Sequence, residues 1–249
     1  MHSSVQNLIE IKNKIKLNLD SLKINNLPKI IAVSKTFKID KILPLIEYGH
    51  VDFGENKVQE AIDKWTDVLK KNSNIQLHMI GKLQTNKVKF AVKIFNYIHS
   101  VDSEKLAKKI SEEQIKINKK VKIFIQVNIG DEDQKSGIKK NELKNFVSYC
   151  KEIELDILGL MCMPPVNKDP SLFFNEMKNL NKNFGFIELS MGMSSDYLKA
   201  SENLSTYLRI GSSIFGKRFW EISILVFFLI NFNIIKKSFF SRAIQPAVG

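Results

Sequence analysis

Short apolar, β-branched runs alternate along this chain with longer stretches whose apolar positions recur at helical spacing. The short runs predict strands at 30–34, 51–54, 76–80, 97–101, 121–128, 155–161, 186–190 and 207–210. The amphipathic stretches predict helices at 40–48, 57–70, 103–117, 142–151 and 171–183, with another at about 5–22 ahead of the first strand. Eight strands, all but the last followed by helix-like sequence, recur every roughly 20 to 35 residues, the repeat of a (β/α)8 barrel. A doubly wound open sheet is the alternative, but so many consecutive units favour closure. The expectation is an α/β protein: one TIM-type barrel over 1–218 with an extra N-terminal helix, then an atypical hydrophobic tail at 219–249.

In such barrels the chemistry lies on loops at the C-terminal ends of the strands. The unusual residues of this chain fall there: Lys35, Glu55 and Asn56, Gly81, Asn128, Met163 and Pro164, Ser190 to Ser194, and Arg209 to Ser212. Lys35 follows an apolar run. Either it pairs with a carboxylate, or partial desolvation lowers its pKa and leaves an amine able to attack a carbonyl. "LSMGMSSD" (189–196) offers the hydroxyls of Ser190 and Ser194 around Gly192, suited to an anion at a helix start or to a plain capping turn by Ser194 or Ser195. "RIGSSIFGKR" (209–218) adds Gly211, Ser212 and Ser213, and loops after strands seven and eight are where barrels often bind phosphate. Arg209 points to the opposite side from Ile210. It needs an acceptor, either a ligand ring nitrogen or a salt-bridge partner. Asn56 reads first as a helix cap and second as a ligand contact, while His78 reads as a hydrogen-bonded core residue.

Composition narrows the field. With 44% hydrophobic and 26% charged residues in 249, the chain can bury a sizeable core. Its net charge of +12 raises the question of nucleic acid, but the lysines are scattered along helical faces without interleaved aromatics. No specific nucleic-acid binding is expected. Cys150 and Cys162 have neither metal spacing nor a disulfide framework, which fits reduced thiols in a cytoplasmic protein.

Lysine after strand one with anion groups after strands seven and eight suggests pyridoxal phosphate. "AVSKT", "DFGENKVQEA", "LHMIGKLQTNK", "GLMCMPP", "LSMGMSSDY" and "RIGSSIFGKR" closely resemble the pyridoxal phosphate homeostasis proteins, the YggS and PROSC family. The resemblance runs from about residue 5 to 218. It implies a fold similar to the barrel domain of bacterial alanine racemase, with pyridoxal 5'-phosphate as cofactor. It also implies that Lys35 is the Schiff-base lysine and that Arg209 faces the pyridine nitrogen. Ser190, Gly211 and Ser212 then hold the phosphate, with Asn56 and Ser194 as further cofactor contacts. The threonine usual after "RIG" is Ser212, and the glycine usual before "ST" in strand eight is Leu204.

An arginine against the ring nitrogen weakens the cofactor as an electron sink, and the motifs offer no replacement for the racemases' second base. The implied function is therefore a non-catalytic carrier or buffer in cofactor homeostasis, with a racemase- or decarboxylase-type enzyme as the alternative. Pyridoxal phosphate and the apoenzymes that use it are the implied partners, and a cytoplasmic monomer is expected. The tail departs from the family. Residues 222–235 are apolar apart from Ser223, Asn231 and Asn233, and these fourteen residues are followed by Lys236 and Lys237. That length is below the ~17–25 residues of a spanning helix. An interfacial anchor, a helix packed on the barrel and a stretch without selected function are the open readings.

Overall fold

The computed structural model describes residues 1–132 and 134–216. Residues Met1–Phe215 form one compact unit, and of Gly216–Gly249 only Gly216 is described. The expected boundary at 218 and the tail at 219–249 lie outside the described residues.

Eight parallel strands close into a barrel in chain order: β1 (Lys29–Val33), β2 (Asp52–Glu55), β3 (Gln76–Met79), β4 (Tyr97–Val101), β5 (Lys122–Val127), β6 (Asp156–Cys162), β7 (Glu188–Ser190) and β8 (Tyr207–Ile210). The helices are α1 (Ser3–Ser21), α2 (Ile39–Glu47), α3 (Val58–Lys71), α4 (Val88–Ile94), α5 (Glu104–Lys116), α6 (Leu143–Glu152), α7 (Pro170–Asn183), α8 (Tyr197–Glu202) and α9 (Ser212–Phe215). All eight predicted strands are present, within two residues at each end. α4, α8 and α9 carry no predicted bounds, because four to seven residues are too few for a 3.6-residue period to register. No helix among the described residues is long and apolar enough to cross a membrane.

Strand alternation divides each sequence between two cores. Outward residues such as Ile30, Ala32, Phe53, Leu77, Ile98, Ile123 and Leu208 meet the helix layer. α1 presents Leu8, Ile11, Ile15 and Leu19 at helical spacing and packs against α2, α8 and α9. Inside lie Ile31, Tyr97, Phe124, Met161 and Tyr207, together with His78, His99, Ser190 and Arg209. Barrel interiors are commonly layers of Val, Ile and Leu. This one is aromatic and polar.

Two backbone positions make testable demands. Gly159 pairs with Glu188, and a Cβ there would collide with the Glu188 carbonyl. Gly159→Ala should force β7 away from β6 and destabilise the fold by at least about 2 kcal/mol in urea titration. Leu204 replaces the glycine expected by resemblance and is held at φ 63°. The left-handed region is costly for a residue with a Cβ, so Leu204→Gly should stabilise by about 1 kcal/mol in the same measurement.

Closure of β8 on β1 positions the site. Ile31 lies opposite Arg209 and Ala32 opposite Ile210, so the turn after β1 and the turn after β8 leave the barrel side by side. A Cβ on Gly211 would stand 3.3 Å from Val33. The glycine allows that approach.

Candidate functional site

The Lys35 turn is held from below. Ser34 N–H donates to the Gly54 carbonyl (3.0 Å) and Phe37 N–H to the Ser34 carbonyl (3.2 Å). Thr36 sits at φ 67°, a strained conformation for a β-branched residue, and its N–H donates to Glu60 Oε1 at 2.5 Å. Lys64 Nζ, at 2.9 Å from each, ties the Ser34 carbonyl, Glu55 and Glu60 together. Glu55 is fully buried, and its Oε1 also accepts from Ser34 Oγ (2.7 Å) and Trp65 Nε1 (2.9 Å). Burial raises the Glu55 carboxyl pKa, against the pull of Lys64, Trp65 and Ser34. Lys35 itself is half-buried. Glu60, Lys64 and Trp65 are functional neighbours that motif spacing does not single out, although Glu60 and Lys64 carry an i, i+4 charge signal in α3.

Across the β1–β8 seam lies a cradle of backbone donors. Gly211 N–H and Ser213 N–H both donate to Ser194 Oγ, each at 3.3 Å. Two N–H groups converging on one oxygen are a ready site for an anion. Gly192, at φ 93°, carries the loop that delivers Ser194, and a Cβ there would press on Ala200 and Leu208. Ser212 is exposed at the mouth beside the cradle. Ser213, a named donor but not among the expected cofactor contacts, supplies the second N–H. The cap position of α8 is Asp196, whose carboxylate accepts from Met193 N–H at 2.6 Å, rather than Ser194 or Ser195.

Ser190 and Arg209 lie beneath the mouth. Arg209 Nη1 donates to Ser190 Oγ (2.7 Å) and Nη2 to the Cys162 carbonyl (2.9 Å). Those acceptors are neutral oxygens, and among the described residues Arg209 has no salt bridge. Ser190 is fully buried and its Oγ is also 2.8 Å from His99 Nδ1, so it belongs to the interior rather than to the cradle. Asn56 does not cap α3; that position falls on Lys57, without a side-chain bond. Asn56 instead lines a cleft of about 510 Å³ with Gly81, Lys82, Gln84 and Lys87. The structure thus gathers Lys35, Ser194, Gly211 and Ser212 around the mouth, seats Ser190 and Arg209 below, and puts Asn56 on the neighbouring wall.

His78 is a core residue, as expected. Its Nε2 is 3.0 Å from Asp52 Oδ1 and its Nδ1 is 3.0 Å from His99 Nε2. Burial lowers the pKa of His78, His99 and His50, the last to about 4. Below pH ~6.5 the unfolded chain protonates these rings while the native state resists, so the unfolded state binds more protons. Stability should therefore fall as pH drops from about 6.5 toward 4, with His50 alone contributing on the order of 3 kcal/mol. Urea midpoints between neutral pH and about pH 5 measure the slope, and His50→Gln should flatten it.

Other chemistries find little here. Cys150 and Cys162 are buried free thiols, both pushed up to about 12 chiefly by burial. Among the described residues no group of His, Cys, Asp and Glu is placed to hold a metal.

Comparison with known proteins adds four likenesses. Residues 11–218 match the family model "Alanine racemase, N-terminal domain". The pyridoxal phosphate homeostasis protein of Pasteurella multocida is 33% identical over 225 residues, covering 86% of this chain and 97% of that protein. The structure of PipY from Synechococcus elongatus, with PLP bound, superposes with a TM-score of 0.72 at 31% identity, over 81% of this chain and all of that one. The alanine racemase of Clostridium difficile superposes at 0.61 with 15% identity, covering 83% of this chain and 57% of that one, a likeness of fold alone.

Proposed function

Because the chain belongs to the pyridoxal phosphate homeostasis proteins, within the alanine racemase N-terminal domain family, we propose that it binds pyridoxal 5'-phosphate on Lys35 and serves cofactor homeostasis as a non-catalytic carrier. The observation that carries this reading is the β1–β8 seam, which sets the Lys35 turn beside the Gly211 and Ser213 donors with Arg209 beneath. These residues fit the group. Two backbone N–H groups already converge on an oxygen, Gly211 leaves the approach open, and the Lys35 turn is braced by a buried network.

Bound pyridoxal phosphate supplies an aldehyde and an electron-withdrawing ring. Lys35 provides the amine for the aldehyde. Gly211, Ser212 and Ser213, with Ser194, would hold the phosphate. Arg209 would offer N–H to the ring nitrogen and so keep a proton off it, which would blunt carbanion chemistry. A racemase also needs a second base across the substrate, and thiols held near 12 by burial do not serve. The protein works as a cytoplasmic monomer and hands the cofactor to apoenzymes. Ser190 acts through Arg209, and Asn56 borders the entrance.

The test is spectroscopic. Apoprotein mixed with pyridoxal phosphate should gain a visible band, borohydride should leave the reduced cofactor on the peptide containing Lys35, and a broad amino-acid panel should give no turnover. A protein that stays colourless, or that labels on another lysine, overturns the assignment; Lys35-dependent turnover overturns the carrier reading.

A further inference from the structure

The interior of the barrel holds a continuous run of hydrogen bonds that packing alone does not require. It begins at Arg209 under the mouth and ends at Asp52, the first residue of β2 at the opposite end. The steps are Arg209 Nη1 to Ser190 Oγ (2.7 Å), Ser190 Oγ to His99 Nδ1 (2.8 Å), His99 Nε2 to His78 Nδ1 (3.0 Å), and His78 Nε2 to Asp52 Oδ1 (3.0 Å). Ser190, His78 and His99 are fully buried, whereas the Asp52 side chain is 15% exposed.

Only one arrangement of protons satisfies the run. A carboxylate accepts and does not donate, so His78 must carry its proton on Nε2. A neutral His78 then offers Nδ1 as acceptor, which requires His99 to carry its proton on Nε2. His99 Nδ1 is in turn an acceptor and takes the Ser190 hydroxyl proton. The Ser190 lone pair is left facing Arg209, which can only donate. Every donor points from Arg209 toward Asp52. The rings cannot turn freely to escape this order, since His78 stacks on Tyr97 (4.2 Å, 12°) and His99 on Phe124 (4.4 Å, 21°). Burial keeps both rings neutral, as the scheme requires.

We propose that Asp52, His78, His99 and Ser190 form a one-way relay that holds the Ser190 hydroxyl as an acceptor toward Arg209 and so fixes the orientation of its guanidinium, making them positioning residues for the ring-nitrogen contact. Asp52 supplies the terminal acceptor, and the neutral groups transmit its demand across the barrel. With Ser190 committed to His99, Arg209 meets a lone pair on one side and the Cys162 carbonyl on the other. The plane of its guanidinium is thereby set. The relay itself stands on the hydrogen bonds, whereas its service to a cofactor rests on the function proposed above.

Histidine ring nitrogen NMR on the apoprotein tests the relay without any cofactor. Both His78 and His99 should be neutral with the proton on Nε2; a proton on Nδ1 of either ring, or a charged ring at neutral pH, overturns the proposal. In Asp52→Asn the side chain presents either Oδ1, which leaves both rings as they are, or an amide N–H, which requires His78 and His99 to shift together toward the Nδ1-protonated form although His99 does not touch residue 52. A His78 that switches while His99 does not, or the reverse, in a folded Asp52→Asn protein overturns the coupling. Should that variant not fold, the wild-type tautomers still decide. In the folded variant with pyridoxal phosphate, borohydride labelling of Lys35 should persist while the visible band shifts. Correct tautomers with a fixed band refute the service to Arg209, and correct tautomers with no band in the wild type refute the cofactor reading alone.

Discussion

Lys35→Ala should be colourless with pyridoxal phosphate and bind it on the order of 100-fold more weakly, equivalent to about 2.7 kcal/mol. The residual binding should compete with inorganic phosphate, because the Gly211 and Ser213 donors survive the change. The variant should stay folded. Lys35 is half-buried on a turn, and the bonds that shape that turn involve Ser34, Thr36 and Phe37 as well as Glu55, Glu60 and Lys64. Thermal melting of the apoprotein within a few degrees of wild type checks this. Lys35→Arg then separates charge from nucleophilicity. It restores a cation at the mouth but no neutral amine, so it should recover part of the affinity and none of the colour. A band that survives in Lys35→Ala would assign the aldehyde to a different lysine and detach the cradle from the chemistry.

The parts legible in the sequence were those with local periodic signals. Eight short β-branched runs specify the barrel almost to the residue, and strand order then places their ends at one mouth. Lys35, Gly211 and Ser212 could be placed because position at a strand end is itself a local property. Contacts made across the barrel were not legible. Ser190 has the same chemistry as Ser194 and lies four residues away, yet the strand carries its hydroxyl inward to His99 and Arg209. His99 carries no local signal, because nothing in "YIHSV" tells which strand faces it. Asn56 resembles a cap, but α3 begins one residue later, with its first turn braced from the Lys35 side by Glu60. The glycine missing at Leu204 was legible as a departure, and the positive φ supplies its physical meaning.

The second large effect is expected where that bracing is removed. Glu55 has no exposed surface, and its Oε1 collects Lys64, Trp65 and Ser34. Lys64→Met keeps the length of the side chain but leaves the Glu55 carboxylate buried without its cation. Breaking one partner out of a buried pair costs about 3–5 kcal/mol, far more than a surface pair contributes. The sign with pH is diagnostic. Burial already raises the folded pKa of Glu55, and losing Lys64 removes the strongest opposing pull, so the variant should raise it further. A carboxyl with a raised folded pKa binds more protons in the native state, so stability is lost as pH climbs from the unfolded value through the folded one. The stability difference between Lys64→Met and wild type should therefore be largest at neutral pH and shrink in mild acid, with the histidine contributions cancelling in the comparison. Glu55→Gln on the Lys64→Met background should recover much of the loss and flatten the pH dependence, because a neutral amide needs no counter-charge. A Lys64→Met penalty that stays constant with pH would show that the Glu55 charge is not what the lysine offsets. If the penalty behaves as expected, binding of pyridoxal phosphate should weaken in parallel, since the same ammonium holds the Ser34 carbonyl immediately before Lys35.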